Sequence, residues 1–96
     1  MIVSFADKMT EDLFHGRTLA KTRKFPANMQ KAAIIKLDIL NAVNSILDLK
    51  SPPGNRLESL EGNLKGKYSI QINDQWLLVF RFEDSNAYDV QIMDYH

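Results

Sequence analysis

The sequence predicts an α+β fold in which two N-terminal helices pack on a mainly antiparallel, twisted sheet of four to five strands. Apolar residues recur at helical spacing from Ala33 to Leu47, and after Pro52-Pro53 the period of apolar residues changes to two. Helical and alternating stretches are segregated along the chain rather than interleaved, which favours α+β over a parallel βαβ arrangement.

Ile2 to Phe5 reads as a short first strand. Asp7 is a good N-cap for a helix of about two turns that carries Leu13 and Phe14 and stops at Gly16. His15, next to that glycine, suits compensation of the helix C-terminal dipole better than catalysis. Pro26 marks a second helix start. Ala33, Leu37, Leu40, Val43 and Leu47 then follow at steps of four, three, three and four, predicting an amphipathic helix of about five turns. Lys31, Lys36, Asp38, Asn41 and Asp48 face water on it. Lys50-Ser51-Pro52-Pro53-Gly54-Asn55 ends the helix. Tyr68, Ile70 and Ile72 alternate with polar residues, Asn73-Asp74 supplies a turn, and Trp76, Leu78, Phe80 and Phe82 form the apolar face of the next strand. Glu83-Asp84-Ser85-Asn86 is a second turn, after which Tyr88, Val90 and Ile92 form one face of a last strand.

The 96 residues, 45% apolar and 25% charged, are expected to form a single domain over 1–96. With no cysteine, disulfides, thiolate nucleophiles and Cys-based zinc sites are excluded. Apolar runs such as Trp76 to Phe80 are far too short for a membrane span, and the opening residues lack the pattern of a signal peptide, so the expectation is a cytoplasmic protein without a membrane partner. Net charge is zero, which argues against strong non-specific attraction to nucleic acid. The charge is uneven: residues 1–50 hold eight basic and five acidic side chains, residues 51–96 four and seven. Lys21, Arg23, Lys24 and Lys31 form the densest basic stretch, which reads as a solvated helix entry or a phosphate-binding patch.

Pro52-Pro53-Gly54-Asn55-Arg56-Leu57, Leu60-Glu61-Gly62, Gly66-Lys67-Tyr68-Ser69-Ile70, Ile72-Asn73-Asp74-Gln75-Trp76, Phe80 and the closing Asp94-Tyr95-His96, in this order and spacing, resemble the HigB branch of the RelE-type bacterial toxins. With Met1 to Phe5 and the helix pair, the resemblance covers essentially the whole chain. It implies a RelE-like fold and the toxin of a type II toxin–antitoxin pair, a ribosome-dependent endoribonuclease that cuts messenger RNA during translation. It also implies a HigA-like antitoxin with a helix-turn-helix domain, through which the pair would reach operator DNA, and no cofactor.

Such cleavage uses the substrate's own 2′-hydroxyl as nucleophile, so the protein supplies orientation, proton transfer and positive charge, and no metal is required. His96 is the candidate for general acid or base, since an unperturbed imidazole titrates near ~6.5. Tyr95 could stack on a base or hold a phosphate, and Asp94 could orient either neighbour. Read from the residues alone, these three also fit a frayed end, a packed aromatic and a solvated acid. Arg56, Lys65 and Lys67, ahead of the hairpin, could contact phosphates or be ordinary surface charge.

Two departures from the family pattern concern rate. Many HigB-like sequences carry arginine directly after the hairpin tryptophan, where this chain has Leu77. Losing one donor to the transition state typically costs ~10²- to 10³-fold. Arg81, four residues on and facing the same side of the strand, is a further candidate for phosphate contact, though it starts ~13 Å away at ~3.3 Å per residue. Glu58 stands where relatives can place histidine and is a candidate base; with Glu61 it adds repulsion toward phosphate. The implied activity is therefore modest, and the alternative is a catalytically impaired toxin fold that serves as co-repressor with its antitoxin.

Overall fold

The computed structural model describes residues 1–17 and 25–94. The helices are α1 (Lys8–Phe14) and α2 (Ala27–Ala42), and the strands are β1 (Glu58–Ser59), β2 (Tyr68–Gln71), β3 (Trp76–Glu83) and β4 (Asn86–Asp94). Among the described residues the strands form one antiparallel sheet in the order β1-β2-β3-β4. The predicted α+β class holds, with helices first and sheet after.

Helix α1 begins where the Asp7 carboxylate accepts the Thr10 N–H at 2.8 Å, satisfying a donor that the first turn leaves free. It ends in a Schellman arrangement: Gly16, at φ 73°, donates to the Leu13 carbonyl, and the Arg17 N–H reaches the Asp12 carbonyl at 2.8 Å. His15 is the C-cap, its ring packed edge-on against Phe5 and Phe14.

Helix α2 is shorter than its periodicity predicts. Ala33, Leu37 and Leu40 are buried as expected, and Met29 joins them, but the helix stops at Ala42 and Leu47 is 62% exposed. A competing start signal overrides the spacing. Ser45 and Asp48 form a capping box that opens a separate 3₁₀ turn over Ile46–Lys50, and this turn buries Leu49 instead of Leu47.

The β2–β3 hairpin turns on Asn73, whose side-chain oxygen accepts the N–H groups of Gln75 and Trp76. The β3–β4 hairpin is a two-residue turn with both central residues left-handed, Asp84 at φ 51° and Ser85 at φ 66°, the geometry that matches strand twist. The pairing slips by one residue between Val79 and Arg81: Val79 faces Gln91 while Arg81 faces Tyr88. Asp89, at φ 54°, is the extra residue of this bulge. Tyr88 is therefore not on the face of Val90 and Ile92; Ala87 takes the buried position, and the Tyr88 ring lies 4.5 Å from the Arg81 guanidinium carbon.

The same bulge shapes the start of the chain. Residues 1–6 run parallel to β4, but only Ile2 and Phe5 bridge to it, opposite Ala87 and Val90, so the expected strand is reduced to two isolated bridges. Ser4 fills the gap, its hydroxyl accepting the Asp89 N–H at 2.9 Å. Farther along, the buried Thr10 hydroxyl accepts the Ile92 N–H at 3.0 Å, so α1 seals the remaining β4 edge there.

One core joins the helices to one face of the sheet: Met29, Leu37 and Leu40 pack with Ile70, Leu78, Phe80 and Val90. Each large apolar side chain buried there contributes about 1.5–3 kcal/mol. The other face is left uncovered by the helices, and the chemistry gathers on it.

Candidate active site

Alternation along β2 and β3 sends Ser69, Gln71, Leu77, Val79 and Arg81 to the face opposite the helices. β1 extends that face by pairing Glu58 with Ser69. Between them lies an open cleft of about 230 Å³, lined by Arg56, Glu58, Leu60, Ser69, Gln71 and Leu77.

The Arg56 side of the cleft is held from beneath. Asn55 is fully buried; its amide donates to the carbonyls of Leu49 at 3.2 Å and Ser51 at 3.3 Å, and its oxygen accepts from the Lys36 ammonium of α2. This ties the proline-rich turn to the helix layer. Arg56 follows in the left-handed region, φ 46° and ψ 59°, a conformation costing a non-glycine residue roughly 1–2 kcal/mol. Such strain persists where surrounding contacts impose it, and it is concentrated at functional sites.

Arg56 and Glu58 line one cleft, yet neither makes an ion pair or side-chain hydrogen bond among the described residues. A free guanidinium and a free carboxylate thus face the same space. At the floor is Ser69, 2% exposed, and beside it Gln71, whose amide nitrogen donates to the Asn73 carbonyl at 2.9 Å. Leu77, paired with Gln71 on one side and Met93 on the other, closes the β3 side with an apolar wall. An arginine at position 77 would stand in this cleft.

Of the residues singled out from sequence, the structure brings Arg56, Glu58 and Leu77 together in the cleft. Lys65 ends the short turn Gly62–Leu64, and the Lys67 carbonyl accepts from the Leu60 N–H at 2.9 Å; both lysines sit on the loop flanking the cleft rather than lining it. Arg81 shares the cleft's face but its charge is engaged, with Glu83 at 2.8 Å and Asp89 at 3.7 Å, and stacked on Tyr88. Glu61 stands at the N-cap position of the Gly62–Leu64 turn without a side-chain capping bond and does not line the cleft. Asp94 pairs with Trp76, at the same end of the sheet as Leu77, and accepts from the Gln75 amide at 3.3 Å. Tyr95 and His96 lie outside the described residues, as do Lys21, Arg23 and Lys24.

Sequence reasoning missed Leu60, Ser69 and Gln71. The alternation of β2 already put Ser69 and Gln71 on its polar face, but only the β1–β2 register shows that this face looks onto Glu58.

A second polar cluster lies elsewhere, on α1. The buried Asp12 carboxylate receives Lys8 and Arg17, each at 3.1 Å, on one oxygen, while its other oxygen has no hydrogen-bond partner among the described residues. Burial pushes its pKa up, but the hydrogen bonds and charges of Lys8 and Arg17 outweigh that, leaving it below the ordinary carboxylate value. Among the described residues, no helix is long and apolar enough to cross a membrane, and no three His, Asp or Glu side chains gather as metal ligands.

Residues 3–96 match the family profile described as HigB-like toxin, the RelE-like toxin of type II toxin–antitoxin system HigB. The chain is 41% identical over 87 residues to Toxin HigB-1 of Vibrio cholerae, covering 91% of this chain and 90% of that one. In fold it is similar to the YoeB–YefM complex from Staphylococcus aureus, with a TM-score of 0.62 at 18% identity over 100% of this chain and 98% of that chain. It is likewise similar to YafQ from E. coli strain BL21(DE3), with a TM-score of 0.57 at 17% identity over 99% and 94%.

Proposed function

The chain belongs to the HigB-like toxins, the RelE-like toxins of type II toxin–antitoxin systems, and from that premise we propose that it is an endoribonuclease that cleaves messenger RNA on the ribosome, in the cleft between β1 and β3. The observation that carries this reading is the pairing in one cleft of a free guanidinium, Arg56, with a free carboxylate, Glu58.

The chemistry follows from those groups. Glu58 takes the proton of a ribose 2′-hydroxyl, whose oxygen bonds to the adjacent phosphorus. The bond from phosphorus to the 5′-oxygen breaks, and His96 donates a proton to that leaving oxygen. The products are a 2′,3′-cyclic phosphate and a 5′-hydroxyl. Arg56 neutralises charge that builds on the phosphorus oxygens, the role in which one donor is worth ~10²- to 10³-fold. Tyr95 holds the substrate by stacking or by a phosphate contact, Asp94 orients the end of β4, and Lys65 and Lys67 contact phosphates farther along the messenger.

Leu77 limits the rate, because the cleft's β3 side offers no cation. That same residue favours a second reading, a toxin fold retained to act as co-repressor with its antitoxin. Relatives of this fold are seen bound to an antitoxin, YefM. The partner of this chain is taken to be a HigA-like antitoxin, and the compartment the cytoplasm.

Induction without antitoxin tests the proposal. The native chain should arrest growth, and His96→Ala or Glu58→Gln at matched protein level should relieve the arrest. A chain that is harmless alone, yet changes operator binding by its antitoxin, would replace the endonuclease reading with the co-repressor one.

A further inference from the structure

Ser69 is 2% exposed and lines the cleft, and its hydroxyl has no hydrogen-bond partner among the described residues. The side chain is held in the sheet while its hydroxyl, engaged by no protein group among those residues, opens on the cleft and is available to a ligand there. Its position is specific. Glu58 stands directly across the ladder from it, Arg56 lies two residues before Glu58, and both side chains face the same space. The cleft's donors are thus Arg56, Ser69 and Gln71, of which the Gln71 amide already donates to Asn73.

A ligand that completes this set presents an anionic oxygen to Ser69 and Arg56, and a hydroxyl donor to Glu58 one bond system away. A ribose 2′-hydroxyl next to its 3′-phosphodiester has that pattern. Building on the endonuclease reading above, we propose that the Ser69 hydroxyl donates a hydrogen bond to a non-bridging oxygen of the scissile phosphate. With Leu77 on the opposite wall, this neutral donor shares with Arg56 the work of holding the phosphate.

The test is single-turnover cleavage of a messenger on purified ribosomes, with one phosphorothioate diastereomer or the other at the linkage the native protein cuts. Ser69→Ala should slow cleavage of the all-oxygen messenger ~10- to 100-fold, the scale of a hydrogen bond to a charged group. One diastereomer should slow the native protein, and Ser69→Ala should lose that preference, because the contact the sulfur disturbs is already gone. A packing role alone would not move the diastereomer preference. Thermal unfolding of Ser69→Ala should match the native temperature, since the hydroxyl makes no hydrogen bond to the protein among the described residues. A native rate in Ser69→Ala, or a lower rate with the diastereomer preference unchanged, would overturn the assignment while leaving the endonuclease reading in place. No cleavage by the native protein on any messenger would overturn that reading, and the assignment with it.

Discussion

At Arg56 stability and function are expected to pull apart. The residue is left-handed at φ 46°, where glycine is at ease, and its backbone N–H donates to the Pro53 carbonyl, a bond that glycine keeps. Arg56→Gly should therefore leave the unfolding temperature unchanged or raised, while cleavage falls ~10²-fold or more. Loss of both together would mean that the side chain is structural. Asp12 carries a different expectation. Its pKa is lowered in the fold, so its contribution to stability is present above the ordinary carboxylate value and is lost as pH falls through the lower folded value. Asp12→Asn should lower the unfolding temperature at neutral pH, and the gap from the native protein should close only below about pH 4. A constant gap down to acid pH would contradict the role of Lys8 and Arg17. At this scale the sequence was partly readable. Arg56 and Glu58 are charges in a motif-bearing segment and invited attention, whereas Ser69 looks like any polar residue of an alternating strand until its partner strand is known.

Among the elements, the capped and periodic ones were legible: Asp7 and Gly16 bound α1, and the change to a period of two announced the hairpins. Three local features were not. The capping box at Ser45 cut α2 short, the bulge at Asp89 exchanged Ala87 and Tyr88 between faces, and two-residue β1 is too brief for any period to reveal. The β3–β4 turn holds two non-glycine residues left-handed, so Asp84→Asn combined with Ser85→Gly should stabilise the protein by about 1 kcal/mol in chemical denaturation. Thr10→Val should do the reverse. It leaves the Ile92 N–H buried without its acceptor, at a cost of about 1–3 kcal/mol, with hydrogen exchange faster at that amide than at its β4 neighbours.

For the whole molecule, charge decides how the protein meets its target. Net charge is zero, and the cations assigned to phosphates near the cleft are Arg56, Lys65 and Lys67. With about 0.7–0.9 counterions released per phosphate, the logarithm of ribosome affinity should fall against the logarithm of salt with a slope no steeper than about −3. A slope near −6 would bring the Lys21, Arg23 and Lys24 stretch into the contact. The proposed cleft lies in the acidic second half of the chain, so under the proposed function docking and orientation on the ribosome, rather than general attraction to RNA, bring a messenger to Arg56 and Glu58.

The central claim is that this cleft cuts messenger RNA, and the measurement that tests it most directly is mapping of cut sites in a messenger positioned on purified ribosomes. The native protein should cut at defined positions, Glu58→Gln and a chain lacking His96 should be slower by ~10²-fold or more, and Leu77→Arg should be faster by ~10- to 100-fold. Cutting by the native chain that survives both losses unchanged would place the chemistry elsewhere, and no cutting until Leu77→Arg would mean a toxin fold kept for binding.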